Sequence, residues 1–351
     1  MKTELVKVEN NHIEEKGLKR AIHILKTGGL VAFPTETVYG LGGDALNENA
    51  AEKIYEAKGR PSDNPLIVHI ADLKAIEELT ESCPENGMKL AKAFWPGPLT
   101  LIFKKNKIVP DGTTGGLDSV AIRMPSHPIA LELIRESGLY IAAPSANLSG
   151  RPSPTNAQHV MEDMSGRIDM IIDGGKVDIG LESTIVDLTG SIPTVLRPGF
   201  ITVKMLENVV GEVRIDQVVM ARKPDPHMIP KAPGMKYKHY APKGELTIYE
   251  GDSEAVALSI NKAVEELILK GYKTGIIATN ETYQKYPLGT VKVIGTREDE
   301  ITIARGLFEV LRDFDSEGME YIFAESFDNN QLGQAIMNRL LKAAGYHIIN
   351  V

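Results

Sequence analysis

GGLVAFPTETVYGLGGDALNENAAEKIYEAKGRPSDN, residues 28–64, reads as a strand, a turn-rich loop, a helix and a proline-stopped basic exit. Leu30 to Phe33 is a short apolar run opened by Gly28 and Gly29 and closed by Pro34, which predicts a buried strand. Thr35, Glu36, Thr37 and Tyr39 follow at the end where open α/β sheets hold ligands. Gly40, Gly42 and Gly43 then let the backbone approach a bound molecule. Asn47 or Asn49 caps the helix, and Lys58 and Arg60 stand at its exit before Pro61. A polar strand end facing two cations is a candidate anion site.

Outward from this stretch, residues 11–27 predict an amphipathic helix capped by Asn11 with Glu14, burying Leu18, Ala21, Ile22 and Leu25. Strands follow at Leu66–Ile70, Leu99–Phe103, 120–125 and 140–144, with helices near 72–80, 86–94 and 128–136. DGTTGGLDS, 111–119, reads as a loop, and three further strands lie in MIIDGG, STIVDL and TVLRPG. Residues 211–243 change in texture, with many prolines and cations, and predict a linker. Beyond it strands and helices alternate: ELTIY, 253–270, KTGIIAT, VKVIGT, 298–313, YIFAES and 331–344. Such alternation predicts a smaller parallel, Rossmann-like α/β domain. The expected organisation is 1–210, a linker at 211–243, and 244–351.

Length supports two domains, since 351 residues exceed the size at which single cores stop growing. With 42% apolar and 25% charged residues the chain is of ordinary globular composition. A net charge of −8 argues against a protein that grips nucleic acid with its whole surface. The single cysteine, Cys83, excludes an intramolecular disulfide and fits a reducing cytosol. No apolar run has the length of a membrane span and the N-terminal segment has no signal-peptide core, so a soluble cytoplasmic protein is expected. The histidines show no paired ligand spacing, so no structural metal is expected. Residues 40–45 formally match G-x-G-x-x-A, but these glycines do not open the helix, and no P-loop exists.

Taken singly, Lys58-x-Arg60 would be a solvated helix end, Ser145-x-Asn147 a turn or cap, and Arg123 and Arg197 structural ion pairs. Their common placement changes that. Thr35, His69, Arg123, Ser145, Ser183 and Arg197 all lie in or just beyond short apolar strands. If those ends converge, an acidic protein acquires a concave cationic pocket suited to a polyphosphate with a carboxylate.

These blocks resemble the YrdC-type threonylcarbamoyl-AMP synthases in their long, two-domain form. The resemblance rests on FPTETVYGLG, AKGRP, DNPLIVHI, WPGPLT, VAIRMP, APSANLSGRPSPT, ESTIVD, LRPG and PGMKYKHYAP. It implies a twisted mixed-sheet catalytic domain with a concave pocket. It also implies a reaction of L-threonine, bicarbonate or CO2, and ATP giving threonylcarbamoyl-AMP and pyrophosphate for tRNA threonylcarbamoyladenosine. By the resemblance, Lys58, Arg60, Ser145 and Asn147 are the catalytic, phosphate-holding set, with Ser62, Thr114, Arg151, Arg197 and Tyr240 toward ATP. Thr35, His69, Arg123 and Ser183 are expected to hold threonine. Mg2+ would accompany ATP. The product would pass to a transferase complex acting on tRNA, with weak or no direct tRNA binding and no membrane partner. Lys236, Tyr237, His239 and Tyr240 are expected to form a gate, the plainer alternative being an interdomain tether. Two rival readings are a non-catalytic tRNA- or double-stranded-RNA-binding protein using the same pocket, and carbamoyl transfer in metalloenzyme maturation. The latter would want zinc-finger segments that a one-cysteine chain lacks.

Overall fold

The computed structural model describes residues 2–8, 15–220, 232, 239–328 and 331–351. The chain divides into two compact units. The first comprises Met1–Ser149, Ser153–Asp178 and Glu182–Lys236, the second Gly150–Pro152, Ile179–Leu181 and Tyr237–Val351. Among the described residues no helix is long and apolar enough to cross a membrane.

In the first unit the elements run β1 (Glu4–Lys7), α1 (Glu15–Lys26), β2 (Val31–Phe33), β3 (Gly40–Asp44), α2 (Glu48–Lys58), β4 (Ile67–His69), α3 (Ala75–Leu79) and α4 (Glu85–Phe94). They continue with β5 (Leu99–Lys104), α5 (Asp111–Thr114), β6 (Ser119–Arg123), α6 (Pro128–Ser137), β7 (Ile141–Ala142), α7 (Ala157–Met164) and β8 (Met170–Asp173). The last are β9 (Thr184–Asp187), β10 (Thr194–Arg197), α8 (Val203–Val210), β11 (Arg214–Ile215) and α9 (Gln217–Met220). One mixed sheet in the order β1-β8-β2-β3-β7-β4-β6-β5-β9-β10-β11 holds all these strands.

Alternation along the strands sorts the two faces of this sheet. Val68, Leu101, Phe103, Ile122, Val186 and Val195 point to a core shared with Ala51 and Ile54 of α2, Leu90 of α4, Val160 of α7 and Leu206 of α8. On the opposite face, α1 and α6 cover only one half. Leu18, Ala21, Leu25, Ile129 and Leu133 pack there on Val31, Phe33, Ile141 and Met170. The other half of that face presents Ile67, Ile102, Ala121, Ile185 and Leu196, and the residue packed on them is Ala232, fully buried. Among the described residues no helix joins that cluster.

Local signals explain most of the elements. Asn47, rather than Asn49, caps α2 by accepting from Asn49 N–H, and Gly59 ends the helix in the left-handed region. Leu18, Ala21 and Leu25 are buried as expected of α1, whereas Ile22 is only half-buried; Asn11 and Glu14 lie outside the described residues. Two expectations are corrected. Gly40–Asp44 is not a loop reaching toward a ligand but the buried strand β3, antiparallel to β2 with Phe33 opposite Gly40. A Cβ at Gly42 would stand 2.7 Å from Phe33 and 2.8 Å from Ile141, so packing, not ligand approach, demands the glycine. The stretch 111–119 opens with the short helix α5, which ends on the left-handed Gly115.

The second unit contains β12 (Glu245–Glu250), α10 (Ser253–Leu269), β13 (Thr274–Ala278), β14 (Thr290–Val293), α11 (Glu300–Glu317), β15 (Tyr321–Glu325), α12 (Gln331–Ala343) and β16 (Ile348–Asn350). Its sheet is parallel throughout, in the order β14-β13-β15-β12-β16.

Candidate active site

The sheet register places the turn of Thr35, Glu36 and Thr37 at the same strand ends as Ser145, since Phe33 lies opposite Gly40 and Gly40 bridges to Ser145, while the backbones of His69, Arg123 and Ser183 stand toward the other ends. β7 runs antiparallel to β4, with Ile141 opposite His69 and Ala142 opposite Val68. The chain leaving β7 therefore emerges beside the start of β4, and Ser145 bridges to Gly40.

The first cluster forms around the end of α2. Lys58, 2% exposed, donates from Nζ to the carbonyl of Asn147 at 2.5 Å and to that of Ser145. Ser145 Oγ donates to Asn147 Oδ1 at 2.6 Å. Arg60 is buried too. Its Nη2 donates to the carbonyls of Asn64 at 3.2 Å and Pro65 at 3.1 Å, just before β4. Leu66 N–H bonds the carbonyl of Thr113, which brings α5 alongside. Thr114 is buried there, donating to the Leu117 carbonyl at 2.9 Å, while Ser62 is exposed. Two buried cations, a hydroxyl and an amide thus share one strand edge. That chemistry suits phosphate oxygens.

A second group begins from backbones toward the other end of the same strands. His69 and Arg123 are register partners on β4 and β6. Ser183 precedes β9 and is wholly buried; its Oγ is 2.8 Å from Thr100 Oγ1 and accepts from Arg197 Nη2 at 3.1 Å. The Arg123 side chain runs back to the turn between β2 and β3 at the Ser145 end, Nη1 donating to Thr37 Oγ1 at 2.9 Å. Thr35 shapes that turn, its Oγ1 donating to the Val38 carbonyl at 2.6 Å and lying 2.9 Å from Thr37 Oγ1. His69 is pushed down to about 3, first by burial and then by the charge of Arg123, so its ring is neutral near pH 7. Glu36 and His127, which the sequence reading did not assign, are buried here as well. A carboxylate beside threonines in a turn carries no sequence mark of burial.

Arg151 belongs to the second unit, 3.5 Å from Asp315. Tyr240 also belongs there, buried with φ 65°, stacked on Phe308 at 5.1 Å and 5.9 Å beneath the Arg339 guanidinium. His239 is its buried neighbour. Lys236 and Tyr237 lie outside the described residues.

Known proteins match both parts of the chain. Residues 23–199 match the Sua5, YciO and YrdC family, described as "Telomere recombination". Residues 201–345 match "Threonylcarbamoyl-AMP synthase, C-terminal domain". The chain is 50% identical to the threonylcarbamoyl-AMP synthase of Pyrococcus abyssi over 97% of both proteins. It is also 50% identical to that of Bacillus subtilis over 95% of this chain and 94% of the other. Its structure is similar to that of P. abyssi Sua5 complexed with L-threonine, with a TM-score of 0.93 at 48% identity, covering 99% and 100% of the two chains. The chain belongs to the threonylcarbamoyl-AMP synthase family, a group of nucleotidyl-transferring enzymes of tRNA modification.

Proposed function

We propose that this chain joins L-threonine, bicarbonate and ATP into threonylcarbamoyl-AMP and pyrophosphate. The observation that carries the proposal is that the group of Lys58, Ser145 and Asn147 shares its strand ends with the turn after β2, whose Thr37 accepts from Arg123.

Lys58, Arg60, Ser145 and Asn147 hold the phosphates in this reading, with Thr114, Ser62 and Arg197 toward the nucleotide. Thr35, His69, Arg123 and Ser183 hold threonine. A neutral His69 suits this assignment, because it hydrogen-bonds without adding charge beside Arg123. Once the threonine nitrogen has become a carbamate, one carbamate oxygen attacks the α-phosphorus and pyrophosphate leaves. The protein's contribution is alignment and charge stabilisation. The donors near Lys58 are cations, a hydroxyl and an amide, so Mg2+ would travel on phosphate oxygens and neutralise charge on the leaving group.

Lys236 and Tyr237, which lie outside the described residues, would with His239 and Tyr240 serve as a gate that keeps the labile carbamate and anhydride from water. The buried position of Ala232 on Ile67, Ile102, Ala121, Ile185 and Leu196 supports this, since His69 and Arg123 share that face by the alternation of β4 and β6. A downstream transferase complex would receive the adenylate in the cytoplasm.

Pyrophosphate release from ATP, with threonine and bicarbonate omitted in turn, tests the reaction. Release that needs both is the expected outcome. Salt-sensitive tRNA binding without threonine-dependent release would favour an RNA-binding protein instead.

A further inference from the structure

Glu36 is buried in the turn between β2 and β3, and neither of its carboxylate oxygens has a hydrogen-bond partner in the protein. Arg123 Nη2 stands 2.7 Å from Glu36 Oε1, yet its N–H bonds do not aim along that line. The contact is an ion pair without a hydrogen bond. Nε and Nη2 of Arg123 are likewise without acceptors, while Nη1 is engaged by Thr37. His127, the N-cap residue of α6, faces Glu36 with a buried Nδ1 that also lacks a partner. Buried polar groups in proteins are nearly always satisfied, so three that fall short at one place point to a ligand that completes them.

We propose that Glu36 binds the α-ammonium of threonine, beside the edge of Arg123 that takes the α-carboxylate. This deepens the reading above and rests on its placement of threonine. Nε and Nη2 form the side-on fork of a guanidinium, the edge that grips a carboxylate in two parallel hydrogen bonds. An α-amino acid carries its ammonium one carbon away from that carboxylate, so its receptor needs an anion immediately beside the cation. The buried Glu36–Arg123 pair has that arrangement, and its unaligned geometry leaves both partners with capacity for substrate. The turn is set before substrate arrives, because Thr35 Oγ1 accepts from the N–H of Thr37 at 3.2 Å and donates to the Val38 carbonyl. A purely anionic ligand would gain nothing from Glu36 and would be repelled by it. Glu36 thereby selects amino acids over hydroxy acids.

The test is equilibrium binding to the ATP-loaded protein of two ligands, L-threonine and the matching dihydroxy acid in which a hydroxyl replaces the ammonium. Glu36→Gln is expected to weaken threonine about 10- to 100-fold, the range of a hydrogen bond to a charged group, and to leave the hydroxy acid bound as well as before or more tightly, because the repelling charge is gone. Equal weakening of both ligands, or of neither, overturns the assignment. Arg123→Gln is expected to weaken both. If it weakens neither, the placement of threonine itself is wrong and the assignment of Glu36 falls with it. Unchanged ATP affinity reports an intact fold in each variant. Should Glu36→Gln fail that check, Glu36→Asp, which keeps the charge but withdraws it by one methylene, is expected to weaken threonine alone.

Discussion

Lys58 Nζ donates to the backbone carbonyl of Asn147 at 2.5 Å, tying the last turn of α2 to the chain that leaves β7. One buried ammonium therefore positions Ser145 and Asn147 and also presents charge at the same strand edge. Lys58→Ala removes both functions. It is expected to lower threonine-dependent pyrophosphate release at least about 100-fold, as loss of a transition-state charge contact does. It should also cost about 1–3 kcal/mol of stability, because two buried carbonyls lose their donor. Urea unfolding beside the activity assay separates the two effects.

Arg123 and Glu36 form a buried ion pair, 4% and 5% exposed. Removing one partner alone strands the other charge, so Arg123→Gln should lower unfolding free energy by about 3–5 kcal/mol. Adding Glu36→Gln to that variant should restore much of the loss. Simple additivity in a double-mutant cycle would deny the coupling.

His69 makes stability depend on pH. Its ordinary value of 6.5 falls to about 3 in the folded state through burial and the neighbouring Arg123. Between those values the unfolded chain binds a proton that the folded chain does not. Stability contributed by the neutral ring is thus complete above about pH 6.5 and declines as pH falls toward 3. His69→Gln should flatten this part of the slope, measured as urea midpoints at pH 7 and pH 5. An unchanged slope would place the acid sensitivity elsewhere.

Gly42→Ala should be destabilising although alanine is the smallest side chain that could be added. The new methyl would press on Phe33 and Ile141 at distances no real Cβ tolerates, which calls for movement of β2 or β7. An overpacking cost of about 1–3 kcal/mol is expected. Because β2 leads directly into Thr35 and Glu36, threonine affinity should fall with the melting temperature.

Much of the architecture could be read from local signals. The Asn47 cap, the Gly59 stop, the stripe of Leu18, Ala21 and Leu25, and the strand–helix alternation after residue 244 each depend on neighbours in sequence. β3 could not be read that way, because GLGGD has no strand propensity and its glycines answer to Phe33 and Ile141 across the sheet. The residues of the site were recognisable by type, but which of them share a strand end depends on strand direction and register. Only pairing reveals those. Glu36 and His127 were passed over for a similar reason: nothing local distinguishes a buried carboxylate or imidazole in a turn from a solvated one. Within 211–243, β11 and α9 also escaped a reading based on prolines and cations.

The large sheet of the first unit closes its two margins differently from its centre. At one margin β1 has four residues of alternating exposure, with Glu4 and Lys7 at its ends; at the other β11 has only two. Brief and charged margins offer a second molecule little backbone to pair with. A sheet of this breadth should accordingly resist strand-to-strand clumping at high protein concentration. Substitutions that lengthen β11 or replace Glu4 and Lys7 with apolar residues would trade that solubility for aggregation.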